Sequence, residues 1–268
     1  MRKLAIAHLT FPDVTAPDQV TMAAAAGLDA IEMRIMGARA AGDDRPLWQV
    51  DALLRETELR VRDTGLEVLS VTVLMIEAET RVEDCLPAFE LAQRFGARNL
   101  LAMGSDPDEA HLTHTLASLC EAARPYDVTL CLEFARYTAI PNIAAAERLI
   151  RASGAPNARI MLDTLHLARS GGTAADVLAT DPSLLSYLQI CDARAEEPSL
   201  DRLRWEAQND RLLPGEGALP LADIVRTLPA DAAVSVETPC LSLQDLPAAE
   251  RVRRGVEATR ALLARVDG

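Results

Sequence analysis

The segment VTLCLEFAR (residues 128–136) is an apolar run interrupted near its end by one acidic side chain, Glu133. The same arrangement returns three times downstream, in ARIMLDTLH (158–166), LLSYLQICD (184–192) and AAVSVETP (232–239), which carry Asp163, Gln189 and Glu237. A charged or amide group in a Val/Leu/Ile/Ala strand is costly to bury unless another group pairs with it. Four such groups on successive strands can meet at one place if the strands form a closed barrel. Oxygen ligands that converge there suit a divalent cation.

Eight strand-like runs alternate with helix-like segments along the whole chain, and their starts lie 26 to 48 positions apart. This alternation is typical of repeated βα units around a parallel sheet. A (β/α)₈ barrel needs about 250 residues, and the chain has 268. The sequence therefore predicts an α/β protein made of a single (β/α)₈ TIM barrel over residues 1–268. The runs begin near Arg2, Leu28, Leu66, Ala97, Val128, Ala158, Leu184 and Ala232, and the second run, LDAIEMRIM, ends at Met36.

Composition and charge argue against several classes of protein. The net charge of −13 opposes binding to nucleic acid or to an anionic membrane surface. The chain is 49% hydrophobic but only 3% aromatic, so its core must be aliphatic, as in a barrel. Five cysteines without a CxxC pair indicate a reducing compartment. We expect no signal peptide and no membrane span, hence a soluble cytoplasmic protein, and an acidic barrel is compatible with a homo-oligomer.

The connection after the seventh run is longer than the others. Residues 194–217 are polar and contain Arg202, Arg204, Trp205 and Arg211. Loops that follow barrel strands lie on the C-terminal face, where active sites are built. We therefore expect this connection to form a substrate lid.

Each of the four interrupting residues also has a purely structural interpretation. Glu133 can pair with Arg136, and Asp163 can cap a helical turn. Gln189 can be a satisfied amide of the core, and Glu237 can pair with an arginine of a loop. Because the four hold equivalent positions on strands five to eight, a shared functional site is favoured over four separate structural roles.

The order of these elements resembles the xylose isomerase-like TIM barrels, the sugar phosphate isomerase/epimerase superfamily. The resemblance spans essentially the whole chain and rests on Glu133, DTLH (163–166), LQICDAR (188–194), LLPGEG (212–217) and SVE (235–237). In such proteins four side chains on strands five to eight hold one divalent metal ion. The resemblance therefore implies the metal ligands Glu133, Asp163, Gln189 and Glu237.

The chain departs from the family pattern at Gln189, where many isomerases and epimerases have histidine. An amide carbonyl oxygen is a harder donor than imidazole, so a site made only of oxygens favours Mn²⁺ or Mg²⁺ over Zn²⁺. The departure also weakens any assignment of the substrate of the best-known epimerases.

Substrate contacts are implied for three further side chains. In the family, the histidine of the D-x-x-H element faces the substrate, which implies that His166 donates a hydrogen bond or relays a proton. Arg211 resembles the family arginine that contacts a substrate oxygen, although Arg202 and Arg204 compete for this role. His8, within the first run, can line the same pocket and contact the substrate.

The resemblance implies proton transfer at a carbon next to a carbonyl, through a metal-stabilised enediolate, with Glu133 and Glu237 as the acid/base pair. We expect a sugar isomerase or epimerase that acts on a small sugar or keto-polyol. A metal-dependent dehydratase (lyase) of a keto-inositol or dehydroshikimate-like substrate is an alternative, and so is a non-catalytic sugar-binding barrel. The endonuclease IV type of this superfamily is disfavoured, because its trinuclear zinc cluster is rich in histidine and this chain has four histidines.

Overall fold

Eight strands pair in parallel with their sequence neighbours, and the last pairs with the first, so the sheet closes into a barrel. The computed structural model describes residues 2–35 and 45–267. The strands are β1 (Leu4–Ala7), β2 (Ala30–Arg34), β3 (Glu67–Ile76), β4 (Asn99–Gly104), β5 (Thr129–Glu133), β6 (Ala158–Asp163), β7 (Leu185–Ile190) and β8 (Val234–Val236).

Helices follow the strands and surround the barrel. The α-helices within the described residues are α1 (Ala16–Ala25), α2 (Asp51–Thr64), α3 (Val82–Arg94), α4 (Glu109–Ala123), α5 (Ile143–Ser153), α6 (Thr164–Arg169), α7 (Ala174–Ala179), α8 (Leu200–Asn209), α9 (Leu221–Arg226) and α10 (Ala248–Asp267). Short 3₁₀ turns span His8–Thr10, Leu47–Gln49, Arg124–Tyr126, Pro182–Leu184 and Leu241–Leu243. None of the helices in the described part of the chain has the length and apolar character of a membrane span.

The predicted (β/α)₈ barrel is confirmed, and each of the eight predicted runs contains one strand. The strands are shorter than the runs. The first run continues into a 3₁₀ turn that begins at His8, because the ladder between β1 and β2 ends where Ala7 pairs with Glu32. Met36, the last residue of the second run, lies outside the described residues.

Glycine ends two of the α-helices, α2 and α5. Gly65 follows α2 with φ of 68°, and Gly154 follows α5 with φ of 65°. Glycine adopts this left-handed conformation without the steric penalty that a Cβ atom imposes. Both helices therefore stop at once and the chain turns back into the next strand.

The interior of the barrel contains a layer of packed side chains. Leu101, Cys131, Met161 and Tyr187, on β4 to β7, form one buried cluster. Side chains two positions apart in a strand point to the same face. The next inward-facing positions toward the C-terminal ends of β5, β6 and β7 are therefore those of Glu133, Asp163 and Gln189. The strand geometry alone places these three polar groups at one level of the barrel mouth.

The long connection after β7, predicted as a polar substrate lid, contains a helix that was not predicted, α8. A bidentate pair fastens this helix to α6: Nε and Nη2 of Arg169 donate to the two carboxylate oxygens of Glu206 at 2.9 and 2.7 Å, and both side chains are buried. The segment after α8 returns to the barrel, where Leu212 pairs with Asp192. The connection thus contacts α6 through Glu206 and returns to the C-terminal side of β7 through Leu212.

Candidate active site at the mouth of the barrel

Carboxylates from neighbouring strands form the first part of the site. Ligand atoms of Glu133, Asp163 and His166 all lie within 4.8 Å of one another, and the three side chains are buried. Nε2 of His166 lies 3.4 Å from Oε1 of Glu133. Asp163 also caps α6, because its Oδ1 accepts the backbone N–H of His166 at 3.0 Å. This cap places His166 beside the two carboxylates. The three side chains together form a group that can hold a divalent metal ion.

Arg211 is the second part of the site, and it is almost completely buried. Its Nη1 donates to Oδ2 of Asp163 at 2.6 Å, and its Nη2 lies 2.8 Å from Oε2 of Glu237. Its Nε donates to the carbonyl oxygen of Ala207 in α8, and Nη1 also reaches the sulfur of Cys191. The guanidinium therefore bridges the carboxylates that end β6 and follow β8.

A buried hydrogen-bond network around Glu32 forms the third part. Glu32 in β2 has no exposed surface. Tyr187 Oη donates to its Oε2 at 2.6 Å, and Gln189 Nε2 donates to its Oε1 at 3.0 Å. Gln189 is also the register partner of Asp163 on the adjacent strand. The amide of Gln189 therefore lies between the Glu32 network and the carboxylate cluster.

Burial and neighbouring charges shift the pKa values of the carboxyl groups in different directions. Burial raises the pKa of Glu237 well above its ordinary value, and Arg211 only partly offsets this effect. Burial also raises the pKa of Glu32, against the hydrogen bonds that its carboxylate accepts. Burial opposes ionisation of Asp163 too, but Arg211 and His166 hold its pKa below the ordinary value. A further positive charge at the mouth would stabilise the ionised forms of these groups.

Two observations show that these residues fit a divalent cation. Four buried carboxylates lie in or next to the cluster, and Arg211 neutralises only part of their charge. The carbonyl oxygen of Gln189 is buried and has no hydrogen-bond partner among residues 2–35 and 45–267. A buried acceptor without a donor is costly unless another group, such as a cation, occupies its lone pairs. The four buried carboxylates are those of Glu32, Glu133, Asp163 and Glu237.

The closest group of candidate ligands is not identical to the predicted set. Glu133 and Asp163 belong to both, whereas His166 joins them in the structure. Gln189 and Glu237 are not part of this closest group; Oε1 of Gln189 has no hydrogen-bond partner in the described part of the chain, and Glu237 forms an ion pair with Arg211. The predicted four-residue ligand set stays a prediction.

A cavity of about 90 Å³ opens at the same end of the barrel. His8 lies in its wall, with Nδ1 3.1 Å from Oγ1 of Thr72 and Nε2 3.4 Å from Nη1 of Arg34. Tyr137, in the loop after β5, packs edge-on against the ring of His166. The candidate catalytic and substrate-binding residues Glu133, His166, Arg211, Glu237 and His8 all line this cavity.

Several structural interpretations of single residues are now resolved. The guanidinium of Arg136 contacts Glu197, so the sequence-based pairing of Arg136 with Glu133 was wrong. The helix cap by Asp163 and the pairing of Glu237 with a loop arginine are both present, within the cluster itself.

The competing arginines of α8 lie apart from the carboxylates. Arg202 stacks on Trp205, and Arg204 lies over the ring of Tyr137 at 5.3 Å. Tyr137 and Tyr187 were missed in the sequence. Tyr187 was detectable, because it lies two positions before Gln189 and so faces the barrel interior as well.

Comparison with known proteins places the chain among related barrels. A sequence model described as xylose isomerase-like TIM barrel matches residues 20–262. No curated protein matches the chain in sequence.

Solved structures share the architecture over nearly the whole chain. A zinc-bound IolI protein superposes with a TM-score of 0.83 at 18% identity, covering 98% of this chain and 99% of that one. The probable 3-DHS dehydratase AsbF from Bacillus anthracis has a TM-score of 0.76 at 15% identity, covering 97% and 98%. D-allulose 3-epimerase from Methylomonas sp., in complex with D-allulose, has a TM-score of 0.73 at 16% identity, covering 97% and 96%. At these identities the likeness shows the fold alone.

Proposed function

The chain belongs to the xylose isomerase-like TIM barrel family, and from this premise we propose that it is a divalent-metal-dependent isomerase or epimerase acting on a sugar or sugar derivative. The observation that carries the proposal is the convergence of buried carboxylates that end β5 and β6 and follow β8 at the barrel mouth, where two of them, Glu133 and Glu237, line one cavity. The structural neighbours of this chain include a D-allulose 3-epimerase and a probable 3-DHS dehydratase, so the reaction must be tested directly.

In this proposal Glu133, Asp163, Gln189 and Glu237 hold the metal, with His166 adjacent. Their donors are carboxylate and amide oxygens, which favour Mn²⁺ or Mg²⁺. A bound divalent cation would polarise a substrate carbonyl and stabilise the enediolate that forms when the neighbouring carbon loses its proton.

Glu133 and Glu237 are the proposed acid/base pair. Both are buried and line the cavity, so each can reach a bound substrate. Arg211 fixes the carboxylate of Glu237 from one side, and His166 lies against that of Glu133. One carboxylate removes the proton from the carbon next to the carbonyl, and the other returns a proton to the opposite face or to the neighbouring carbon.

His166, His8 and Arg211 are the proposed substrate contacts. A guanidinium has five N–H donors. Arg211 uses four of them within the protein, toward Asp163, Cys191, Glu237 and the carbonyl of Ala207. It can therefore offer one N–H to a substrate oxygen while it keeps the carboxylates in place.

Solvent exchange in D₂O tests the reaction. The metal-loaded protein is incubated with a panel of ketoses and keto-inositols, and deuterium at the carbon next to the carbonyl is measured by NMR and mass spectrometry. We expect incorporation with at least one substrate, and a loss of about 100-fold or more in Glu133→Gln, as expected for removal of an acid/base group. Glu197→Gln, which makes the same change at an exposed glutamate near the mouth, is the matched control and should keep the activity.

Three outcomes would contradict the proposal. No exchange with any substrate would count against isomerase and epimerase chemistry. Loss of water with a product that absorbs in the ultraviolet would identify the dehydratase alternative. Protein purified without chelator that contains no divalent metal and binds none on titration would point to the non-catalytic barrel.

A further inference from the structure

A glutamine side chain can ligate a metal ion through only one of its two ends. The carbonyl oxygen is a donor atom for cations, whereas the NH₂ group carries two hydrogens and repels them. The two ends have nearly the same shape, so packing alone does not select which one faces a neighbour. Some other group must therefore fix the orientation of the Gln189 amide if this residue is to serve a metal site.

Glu32 has the chemistry that selects one orientation. It is fully buried in β2, and each of its carboxylate oxygens accepts one hydrogen bond, from Tyr187 at 2.6 Å and from Gln189 Nε2 at 3.0 Å. A carboxylate that already accepts from a phenol attracts the NH₂ end of an amide and repels its carbonyl end. The NH₂ group of Gln189 therefore turns toward Glu32.

The consequence appears at the other end of the same amide. Gln189 Oε1 is buried and is without a hydrogen-bond partner in the part of the chain that the structure describes. Gln189 pairs in register with Asp163, a member of the carboxylate cluster. The free oxygen is thus the one atom of the amide that remains available to a cation at the barrel mouth.

We propose that Glu32 is a positioning residue, which holds the Gln189 amide so that its oxygen is presented to the metal ion. This inference rests on the metal site of the proposed function. Glu32 itself does not ligate the ion; it acts through Gln189, as outer partners orient the ligands of many metal sites. Its position on β2, far from Gln189 in the sequence, makes metal affinity depend on the closure of the barrel that brings β2 and β7 together.

The test is a double-mutant cycle on metal affinity, measured by Mn²⁺ titration calorimetry on protein first stripped with chelator. The four proteins are the wild type, Glu32→Gln, Gln189→Ala and the double variant. A single Glu32→Gln change is not sufficient, because an effect of the missing negative charge has to be separated from an effect that acts through Gln189. If Glu32 acts through Gln189, its replacement should matter only while the glutamine is present.

We expect Glu32→Gln to weaken Mn²⁺ binding about 10- to 100-fold in the wild-type background. In the Gln189→Ala background the same change should alter the affinity by no more than about twofold, the range of additive behaviour. Tyr187→Phe is the matched control, because it removes the other hydrogen bond to Glu32 but keeps the acceptor for the amide. The Mn²⁺ affinity of Tyr187→Phe should stay within about twofold of that of the wild type.

Three results would overturn the inference while leaving the metal site intact. The first is unchanged affinity in Glu32→Gln. The second is an equal loss of Mn²⁺ affinity on Glu32→Gln in the wild-type and the Gln189→Ala backgrounds, which would assign the effect to charge alone. The third is a loss in Tyr187→Phe as large as that in Glu32→Gln, which would assign it to general disturbance of the network. A wild-type protein that binds no Mn²⁺ would instead overturn the proposed function, and the inference with it.

A second measurement needs no change at Glu32 and so remains valid if Glu32→Gln does not fold. In protein labelled with ¹⁵N-glutamine, the side-chain NH₂ signal that disappears in Gln189→Ala belongs to Gln189. Because this NH₂ group is buried and bonded to Glu32, we expect its hydrogens to exchange with solvent far more slowly than those of exposed Gln208. Equal exchange at the two residues would overturn the assignment.

Discussion

Replacement of the buried Arg211 by methionine should destabilise the metal-free protein by about 3–5 kcal/mol at neutral pH. Methionine fills part of the volume of the arginine stem but removes the guanidinium that lies between Asp163 and Glu237. Both carboxylates are then left buried without a cationic partner. We therefore expect Arg211→Met to lower the free energy of unfolding by more than most single substitutions do.

The magnitude follows from the contacts in the structure. The guanidinium makes two charged contacts, at 2.6 Å to Asp163 and at 2.8 Å to Glu237, and the arginine side chain is only 1% exposed. Hydrogen bonds to charged groups contribute about 1.5–3 kcal/mol each, which agrees with the cost of removing one partner of a buried ion pair. Solvent cannot screen these carboxylates, since their side chains are 0% and 5% exposed.

The sign of the pH dependence is fixed by the same contacts. Arg211 lowers the pKa of both carboxyl groups against the effect of burial. Without it, the folded-state pKa of Asp163 rises above that of the unfolded chain, and the pKa of Glu237, already raised by burial, rises further, so folding takes up protons. The stability lost in Arg211→Met is therefore greatest at neutral pH and is progressively regained as the pH falls toward the ordinary carboxyl range.

Urea denaturation followed by circular dichroism, in the presence of chelator at pH 7 and pH 5, measures this effect. Arg204→Met is the control on the same connection, because Arg204 is exposed and stacks on Tyr137. It should cost no more than about 1 kcal/mol. The reasoning is refuted if Arg211→Met loses no more stability than this control, or if its loss grows on acidification.

Three further predictions concern other parts of the chain. Glu206→Gln leaves Arg169 buried beside a neutral amide and should cost about 3–5 kcal/mol in urea denaturation; a loss below about 1 kcal/mol would show that this pair does not fasten α8. Asp106 accepts a hydrogen bond from His111 and raises the pKa of this histidine, so NMR titration should give a pKa above 6.5 in the wild type and a lower one in Asp106→Asn. The stabilisation from the pair is complete below the pKa of His111 in the unfolded chain and is lost as pH rises through its pKa in the folded protein. An unchanged pKa of His111 in the variant would contradict this prediction. Gly217→Ala places a Cβ atom 2.3 Å from the backbone carbonyl oxygen of Ala193 and should lower stability by about 1–3 kcal/mol in thermal unfolding. An unchanged melting temperature would show that the backbone shifts to accommodate the Cβ atom at no cost in stability.

Much of the barrel and the location of its candidate site could be read from local sequence patterns. Apolar runs of strand length recur at βα spacing, and alternation along each strand is a property of neighbouring residues. Glu133, Asp163 and Gln189 therefore had to face the interior near the ends of their strands once the runs formed a barrel. The positions of strand ends were less predictable, because a strand ends where its ladder with a neighbour ends, as at Ala7.

The partners of the buried polar groups were not readable in the same way. A structural alternative for Glu133 was a pair with Arg136, three positions further along the chain, but Arg136 reaches Glu197 instead. Helix α8 was also missed, although it carries Glu206 and contributes the carbonyl that anchors Arg211. These pairings depend on how a long connection folds back over the barrel.

The sequence by itself determined that each of the apolar runs five to eight carries an oxygen-bearing side chain near its end, and that those of β5 to β7 face the barrel interior, because the two-residue period of a strand is a local rule. Only the tertiary structure decided what those side chains contact. Barrel closure brings Glu32 of β2 against Gln189, 157 positions away, and the returning connection inserts Arg211 between Asp163 and Glu237. The physical reason is that a buried charge is stabilised by whichever donor lies within about 3 Å in space, and spacing along the chain does not specify that distance.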